Sequence, residues 1–248
     1  GMGWRKQRLD PRDKIYRMAS AGYVDESKSI NLMDLPAMQF PVYDQGQTSS
    51  CVANAVGRSI RYLLASQGEK FDPSRLFIYW NARTAIHMQT VDDGCEIRDA
   101  IKSVASIGSA PEGNWPFNLK KVCSKPSSLA FQSASKHVSL IYQSVPQRMS
   151  NMLSCLRHNI PIVIGTTVFN SWDAVGKDGK IPRPDPGDKP QGGHAILITG
   201  WDAEERRFIF ANSWGKQWGN DGFGSLPADY VLDTDMSSDF WAIFLMKK

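Results

Sequence analysis

Hydrophobic positions in the first half of the chain recur at helical spacing. From Ser50 to a stop at Gly68, apolar side chains repeat every three or four positions. The same spacing predicts a second helix that begins after Asp72-Pro73-Ser74 and runs through "RLFIYWNARTAIHM". A third predicted helix begins at Ile97 and ends near Gly108. The first half is therefore predicted to be helix-rich.

The second half changes to short runs of β-branched and aromatic residues separated by Gly, Pro and Asp, a pattern typical of strands. The runs are "HVSLIYQSV" (137–145), "IPIVIGTTVF" (160–169), "HAILITGW" (194–201), "RRFIFANSW" (206–214) and "FWAIFLMKK" (240–248). One short helix is predicted on Met149, Met152, Leu153 and Leu156, and the segment 176–193 is predicted to be a long loop. These elements favour an antiparallel β half.

The order of the elements predicts an α+β fold in a single domain, residues 1–248. Residues 2–40 are mixed and polar and are interrupted by Pro11 and Pro36, so we interpret residues 1–40 as an extended N-terminal arm on the surface. A helical lobe is expected over about residues 41–130 and a β lobe over about residues 131–248.

Composition excludes several classes of protein. The chain has 248 residues, 42% hydrophobic and 22% charged, and its 29 basic and 25 acidic residues are interspersed and give a net charge of +4. Nothing in that balance indicates a nucleic acid or a membrane as partner. No apolar run approaches the roughly 18 residues of a membrane span. The four cysteines form no CxxC pair, which argues against zinc and leaves both one disulfide and a reducing compartment open.

The first residues carry charges but no apolar run after them, unlike a signal peptide. Gly1 ahead of Met2 is typical of a cloning remnant. If Met2 is the natural start we expect a cytoplasmic protein, and export by a route other than Sec stays open.

Three distant segments carry candidate chemistry. Gln45-Gly46 leads to Ser50-Cys51 at the first turn of a predicted helix, Gly192-Gly193-His194-Ala195 begins a strand, and "ANSWGKQWGNDGFG" (211–224) ends one. Unpaired N–H groups at a helix N-terminus favour a thiolate, and the thiolate is the reactive form of cysteine. A neighbouring imidazolium, held by an Asn acceptor, favours it further. Taken alone, a free cysteine here is more often a buried structural residue.

Together the three segments resemble the papain-like cysteine peptidases, especially the compact bacterial members. "PVYDQGQTSSCVANA" is similar to the family's Gln-Gly…Ser-Cys stretch and "NSWGKQWGNDGFG" to its Asn-Ser-Trp-Gly stretch. Between them, residues 92–117 resemble the wall of the substrate cleft and its following helix. The resemblance runs from about Asp34 to the C-terminus. It implies a papain-like two-lobe fold, with a helical lobe, an antiparallel β-barrel-like lobe, and the active-site cleft between them.

The resemblance assigns catalytic roles to four positions. Cys51 matches the nucleophile, His194 the acid/base, Asn212 the group that orients the imidazole, and Gln45 the side-chain donor of the oxyanion hole. Trp214 matches the indole that shields the Asn–His hydrogen bond. The implied activity is hydrolysis of peptide bonds through a Cys51 acyl-enzyme, with no metal and no organic cofactor.

Substrate contacts are implied at a few further positions. Gly94 and Cys95 fall where the family's cleft wall meets substrate backbone, although Cys95 is equally compatible with a core position. Gly193 leaves room for substrate backbone beside the histidine. The implied partners are a peptide or protein substrate and a separate proteinaceous inhibitor. The resemblance assigns no residues to the specificity pocket.

The sequence also departs from the family's pattern. Thr48, Ser49 and Val52 stand where Cys, Gly and Trp are common, and only fifty residues precede Cys51, so latency would need the N-terminal arm or a separate inhibitor. Two alternatives stay open at this point. One is an acyltransferase or amidase on the same fold, and the other is a catalytically silent peptide-binding protein.

Overall fold

The computed structural model describes residues 1–18, 24–135 and 140–246. Its helices are α1 (Cys51–Ser66), α2 (Arg75–Thr84), α3 (Ile97–Ile107), α4 (Ser128–Ala134), α5 (Met149–Arg157) and α6 (Ala228–Leu232). Short 3₁₀ turns lie at Leu32–Asp34, Pro36–Met38, Glu112–Asn114, Leu119–Lys121 and Asn170–Ala174. The helix-rich first half is confirmed. In the described part of the chain, no helix combines the length and apolar character that crossing a membrane requires.

Local sequence explains where helix α2 begins and ends. Ser74 is its N-cap, and the hydroxyl of Ser74 accepts a hydrogen bond from the Phe77 N–H. The helix ends at Thr84, so its predicted extension to Met88 is wrong. The chain turns there because His87 adopts a φ of +57°, and the Met88 N–H bonds back to the carbonyl of Arg83.

Six strands form one continuous antiparallel sheet in the order β2-β7-β3-β4-β5-β6, and the short strand β1 pairs with β4. The strands are β1 (Ile30–Asn31), β2 (Leu140–Ser144), β3 (Ile162–Phe169), β4 (Pro190–Asp202), β5 (Arg207–Ala211), β6 (Phe223–Pro227) and β7 (Ser237–Leu245). The predicted α+β class with an antiparallel β half is confirmed. Among the described strands the sheet is an open path, so "barrel-like" describes it only loosely.

Several element boundaries differ from prediction. Residues 190–193 belong to strand β4 rather than to the predicted loop, because they pair with the end of β3. The predicted strand 137–145 is observed as β2, with residues 137–139 outside the described residues. The predicted strand 240–248 is observed as β7 three residues earlier, and residues 247–248 lie outside the described residues.

The central strands are buried on both faces, which explains their continuous apolar sequence. Alternate residues of β3 and β4 face two different cores. Those that face the helical core are Val163, Ala195 and Leu197, and those that face the second core are Ile162, Ile164, Ile196 and Ile198. The helical core also contains Cys51, the first residue of α1, so α1 packs against this face of the sheet.

The N-terminal arm is not confined to the surface. Leu32 and Met38 are buried in the second core, and Tyr16 packs against it. Arg98 on α3 holds the arm from the helical side: its guanidinium binds the carboxylate of Asp13 at 2.9 Å (Nε to Oδ1) and donates to the carbonyl of Arg8 at 2.8 Å.

Replacing Asp13 with Asn is expected to lower the free energy of unfolding by about 2 kcal/mol, because the nearly buried guanidinium of Arg98 loses its closest carboxylate. Urea unfolding monitored by fluorescence measures the change. Asp229→Asn removes an exposed ion pair with Arg183 and serves as the control, with an expected loss below about 0.5 kcal/mol. Equal losses in the two variants would contradict the prediction.

Candidate active site

Cys51 is the first residue of α1 and lies against the start of strand β4. Its sulfur accepts a hydrogen bond from the backbone N–H of Ala195 at 3.4 Å, and the N–H groups of Val52 and Gly3 also point at it. The side chain has no solvent exposure. Burial raises the pKa of the Cys51 thiol to about 11, and the three N–H groups lower it only in part.

His194 on β4 and Asn212, which directly follows β5, lie side by side. The imidazole Nε2 is 2.8 Å from Asn212 Oδ1. An amide oxygen can only accept, so this contact places the ring proton on Nε2 and leaves Nδ1 as an acceptor. Within the described residues, His194 Nδ1 has no hydrogen-bond partner. Burial lowers the pKa of His194 to about 4, and the bond to Asn212 opposes that shift.

Two indoles enclose the imidazole. The Trp214 ring stacks on His194 with a centroid distance of 4.6 Å and an interplanar angle of 29°. The Trp172 ring meets the same imidazole edge-on at 6.2 Å and also contacts Trp214 at 5.8 Å. Trp214 was predicted to shield the Asn–His hydrogen bond; its ring lies on the imidazole, and the shielding role stays a prediction. Trp172 was missed, because it lies in a turn after β3 that shares no sequence neighbourhood with the motifs.

Gln45 is held in place by the residue after Asn212. The Ser213 hydroxyl donates to the side-chain oxygen Gln45 Oε1 at 2.6 Å. The backbone N–H of Gln45 donates to the backbone carbonyl of Ser213 at 2.8 Å. Gln45 Nε2 donates to the Thr48 carbonyl at 2.8 Å. The amide is therefore oriented from both ends, and its second N–H faces the cleft. Ser213 was not singled out from the sequence, although it lies inside the Asn-Ser-Trp-Gly motif.

The opposite wall is tied to the turn before Cys51. The Gly94 N–H donates to the Tyr79 hydroxyl at 2.9 Å, and that hydroxyl donates to the carboxylate of Asp92 at 2.7 Å. The same carboxylate oxygen accepts the Ser49 N–H at 2.9 Å. Asp92 thus joins the wall to the nucleophile turn. Gly94 has a φ of +78°, a conformation that favours glycine.

The side chain and the backbone of Cys95 lie in different surroundings, and its contact with substrate stays a prediction. Its side chain is fully buried in the helical core, while its backbone N–H and carbonyl face the cleft. Gly193 lies across the cleft and also presents its carbonyl. All four cysteines are free thiols.

Residues 1–5, which we call the cleft segment, occupy the space between these walls. The carbonyl of Gly3 accepts from the Cys95 N–H at 2.9 Å, and the Arg5 N–H donates to the Cys95 carbonyl at 3.0 Å. The N–H groups of Gly3 and Trp4 donate to the Gly193 carbonyl at 2.9 and 3.1 Å.

At its other end, the cleft segment reaches the oriented amide. The Gly1 carbonyl lies 3.2 Å from both Gln45 Nε2 and Trp214 Nε1. Each residue predicted to contact substrate backbone therefore contacts backbone of the chain itself. The arm was expected to cover the surface, and its first residues instead fill the cleft and remove Cys51 and His194 from solvent.

The sequence and the fold of the chain are similar to those of known proteins. The family model for papain family cysteine proteases matches residues 33–238. An uncharacterized peptidase C1-like protein, L477, of Acanthamoeba polyphaga mimivirus is 34% identical over 212 residues, which are 81% of this chain and 68% of that protein. A gut-specific cysteine proteinase of Caenorhabditis elegans is 29% identical over 47% of this chain and 36% of its own length.

Solved structures show the same fold. Xylellain, a cysteine protease from Xylella fastidiosa, superposes with a TM-score of 0.91 and 32% identity, covering 100% of this chain and 97% of its own. The Carica candamarcensis cysteine protease CMS1MS2, solved in complex with E-64, has a TM-score of 0.66 and 18% identity over 89% and 98% of the two chains, a likeness of fold alone. Because the family model spans both halves of the fold and all three motifs, the chain belongs to the papain family of cysteine proteases.

Proposed function

We propose that this chain hydrolyses peptide bonds through an acyl-enzyme on Cys51. The observation that carries the proposal is the contact between His194 Nε2 and Asn212 Oδ1, which leaves Nδ1 as the acceptor for the thiol proton. The sulfur attacks the peptide carbonyl carbon, and the proton held on His194 passes to the leaving amine. Water then cleaves the thioester, and the thiol regains its proton.

The developing negative charge on the carbonyl oxygen needs fixed donors. Gln45 Nε2 and the backbone N–H of Cys51 at the start of α1 are the candidates. The Gly1 carbonyl, 3.2 Å from Gln45 Nε2, marks where a substrate carbonyl would accept that bond. Each such donor typically contributes about 3 kcal/mol to the transition state.

The full chain is proposed to be latent. Substrate backbone would need the hydrogen-bonding groups of Cys95 and Gly193 that the cleft segment uses. The Gly3 N–H of the cleft segment points at the Cys51 sulfur. The arrangement therefore covers the nucleophile.

The test uses a double variant of this chain, Gly3→Val with Trp4→Ala, which we call the arm-released variant. A β-carbon on residue 3 would overlap the carbonyl oxygen of Ser49, so the cleft segment of this variant cannot bind in the cleft as it does in the unsubstituted chain. We expect this variant to cleave members of a peptide library, and cleavage to be lost when Cys51→Ala is added. Cys123→Ala, at a half-buried free thiol, is the matched control and should retain cleavage.

Each other outcome of that test supports a different function. Peptide binding without turnover, unchanged by Cys51→Ala, would support a silent binding protein. Preferential transfer of the acyl group to an added amine over water would support an acyltransferase.

Ser213→Ala in the arm-released variant is expected to lower kcat roughly tenfold with KM nearly unchanged, because the Gln45 amide loses the 2.6 Å bond that orients it toward the transition-state oxygen. Steady-state kinetics on one library-derived peptide measure both constants. Ser106→Ala, on the exposed side of α3, is the control. A rise in KM without a fall in kcat would contradict this positioning role.

A further inference from the structure

A group of polar side chains lies buried or nearly buried behind the turn that joins Gln45 to Cys51. Two of them are hydroxyls in the turn itself, one is an amide on the first turn of α1, and one is the guanidinium that begins α2. They belong to Thr48, Ser50, Asn54 and Arg75. A buried polar group without a hydrogen-bond partner is costly, so the partners of these groups can be followed one by one.

These side chains form a continuous series of hydrogen bonds, which we call the turn network. Arg75 Nη1 donates to Asn54 Oδ1 at 2.9 Å, and Asn54 Nδ2 donates to Ser50 Oγ at 3.0 Å. The hydroxyls of Ser50 and Thr48 lie 2.6 Å apart, and the Thr48 hydroxyl donates to the backbone carbonyl of Gln45 at 2.8 Å. The turn network therefore runs from a cation to the residue that carries the proposed oxyanion donor.

The direction of every hydrogen in the turn network is fixed. Because a carbonyl only accepts, the single hydroxyl hydrogen of Thr48 points at Gln45, and the hydrogen between the two hydroxyls must come from Ser50. Arg75 can only donate, which places the oxygen of the Asn54 amide toward it and the NH2 group toward Ser50. All these hydrogens point the same way, an arrangement in which each bond strengthens the next and the charged donor strengthens the first.

The Ser50 hydroxyl takes part in the turn network instead of capping α1. A serine that directly precedes a helix usually accepts a hydrogen bond from the second or third backbone N–H of that helix. Ser50 makes no such bond, and the second N–H, that of Val52, points at the Cys51 sulfur. The turn network therefore holds this hydroxyl away from a donor that faces the nucleophile.

Arg75 is fixed from several sides, so the turn network starts from a well-held group. Its guanidinium carbon lies 4.3 Å from the ring centroid of Tyr43 and 4.1 Å from that of Phe117. Its Nη2 lies 3.8 Å from the carboxylate oxygen Glu112 Oε1. Its Nη1 also donates to the backbone carbonyl of Asp44 at 3.3 Å, which ties the start of the turn to the same guanidinium.

We propose that Asn54, oriented by Arg75, is a positioning residue for the oxyanion hole of the proposed peptidase. Through the hydroxyls of the turn network it fixes the backbone from which the Gln45 amide reaches the substrate carbonyl. The amide follows that backbone closely, because Gln45 Nε2 itself donates to the Thr48 carbonyl at 2.8 Å. The inference rests on the proposed function and adds to it residues that act without contacting the substrate.

The first experiment uses Thr48→Val and Thr48→Ser in the arm-released variant. Valine keeps the shape of threonine but has no hydroxyl, so the turn network is cut beside Gln45. We expect kcat for one library-derived peptide to fall about tenfold with KM nearly unchanged, and Thr48→Ser to restore most of that loss. Thr84→Val is the matched control, because Thr84 is exposed and its hydroxyl donates to the carbonyl of Trp80 within α2. That control should keep the kcat of the arm-released variant.

Alkylation of Cys51 separates a positioning role from a general loss of structure. Reaction of the thiolate with iodoacetamide displaces iodide and forms no tetrahedral oxyanion, so it does not use the Gln45 amide. The alkylation rate at Cys51 should therefore change less than about twofold in Thr48→Val while kcat falls. Equal losses of kcat and of alkylation rate would overturn the inference.

A second variant cuts the turn network at its centre. Asn54→Asp keeps the size of the side chain and an oxygen facing Arg75, but its carboxylate has no N–H to donate to Ser50. It should also lower kcat about tenfold. The double variant with Thr48→Val should lose no more than about twofold beyond either single variant, since both changes cut the same network. Fully additive losses would overturn the inference.

The remaining outcomes separate this inference from the proposed function. If the arm-released variant cleaves no peptide, the proposed function fails and the inference fails with it. If it cleaves peptides and Thr48→Val leaves kcat unchanged, the inference is overturned and the peptidase function stands. If one of Thr48→Val and Asn54→Asp does not fold, the other decides. If neither folds, the turn network maintains the fold and not the site, which also overturns the inference.

Discussion

Alkylation of Cys51 by iodoacetamide at pH 7 is expected to be on the order of 100-fold faster in the arm-released variant than in the unsubstituted chain, which we call the full chain. Two effects act together. The cleft segment excludes solvent and reagent from the sulfur, and burial raises the pKa of the thiol to about 11, so very little thiolate is present. Without the segment, the N-terminus of α1 and a charged His194 can stabilise the thiolate.

Peptide mass spectrometry after timed labelling gives the rate at each of the four thiols. Leu9→Ala is the matched control, because Leu9 belongs to the same arm and its side chain is fully exposed. That variant should label like the full chain. Equal Cys51 rates in the full chain and the arm-released variant would show that the cleft segment does not restrict the site.

The pH dependence of the same reaction is the second expected result. In the full chain the rate at Cys51 should rise about tenfold per pH unit between pH 7 and 10, since the thiolate fraction grows tenfold per unit below a pKa of about 11. In the covered site His194 contributes no positive charge at these pH values, because burial lowers its pKa to about 4.

In the arm-released variant the profile should instead be nearly flat from pH 6 to 9, because a solvated thiolate–imidazolium pair is already formed. The comparison needs no substrate and is made on one residue in two chains. If the labelling rate of Cys51 in the full chain were also independent of pH, labelling would be occurring in molecules whose cleft is open. That result would contradict the prediction that the cleft segment keeps the thiol neutral.

The candidate active site could be predicted from sequence because its chemistry restricts residue type. A nucleophile at a helix start, a histidine and an orienting amide leave few choices. In the structure His194 is bonded to Asn212, Cys51 to the residue after His194, and Gln45 to the residue after Asn212. Their catalytic roles stay predictions. The long helices were predictable for a similar reason, since a buried helix face repeats through many residues.

The pocket that the Trp4 side chain occupies could not be predicted because no local pattern marks it. Gly165 interrupts an apolar strand and Asp239 is the third residue of β7. Only the register of β3 with β7 brings the two residues near each other. The start of strand β4 was missed because Pro190 and three polar or glycine residues resemble a loop. Strand β1, two residues long, offers no alternation to detect.

The hydrogen bonds from Arg98 to Arg8 and Asp13 limit how far the cleft segment can move. Residue 3 is only five residues from residue 8, so the chain between them spans at most about 18 Å when fully extended. A peptide so tethered keeps a local concentration in the millimolar range, so under the proposed latency it would rebind each time a substrate departs. Lys6 and Arg8 are exposed along that stretch. One cut there would let the segment diffuse away and turn a reversible equilibrium into a single irreversible event.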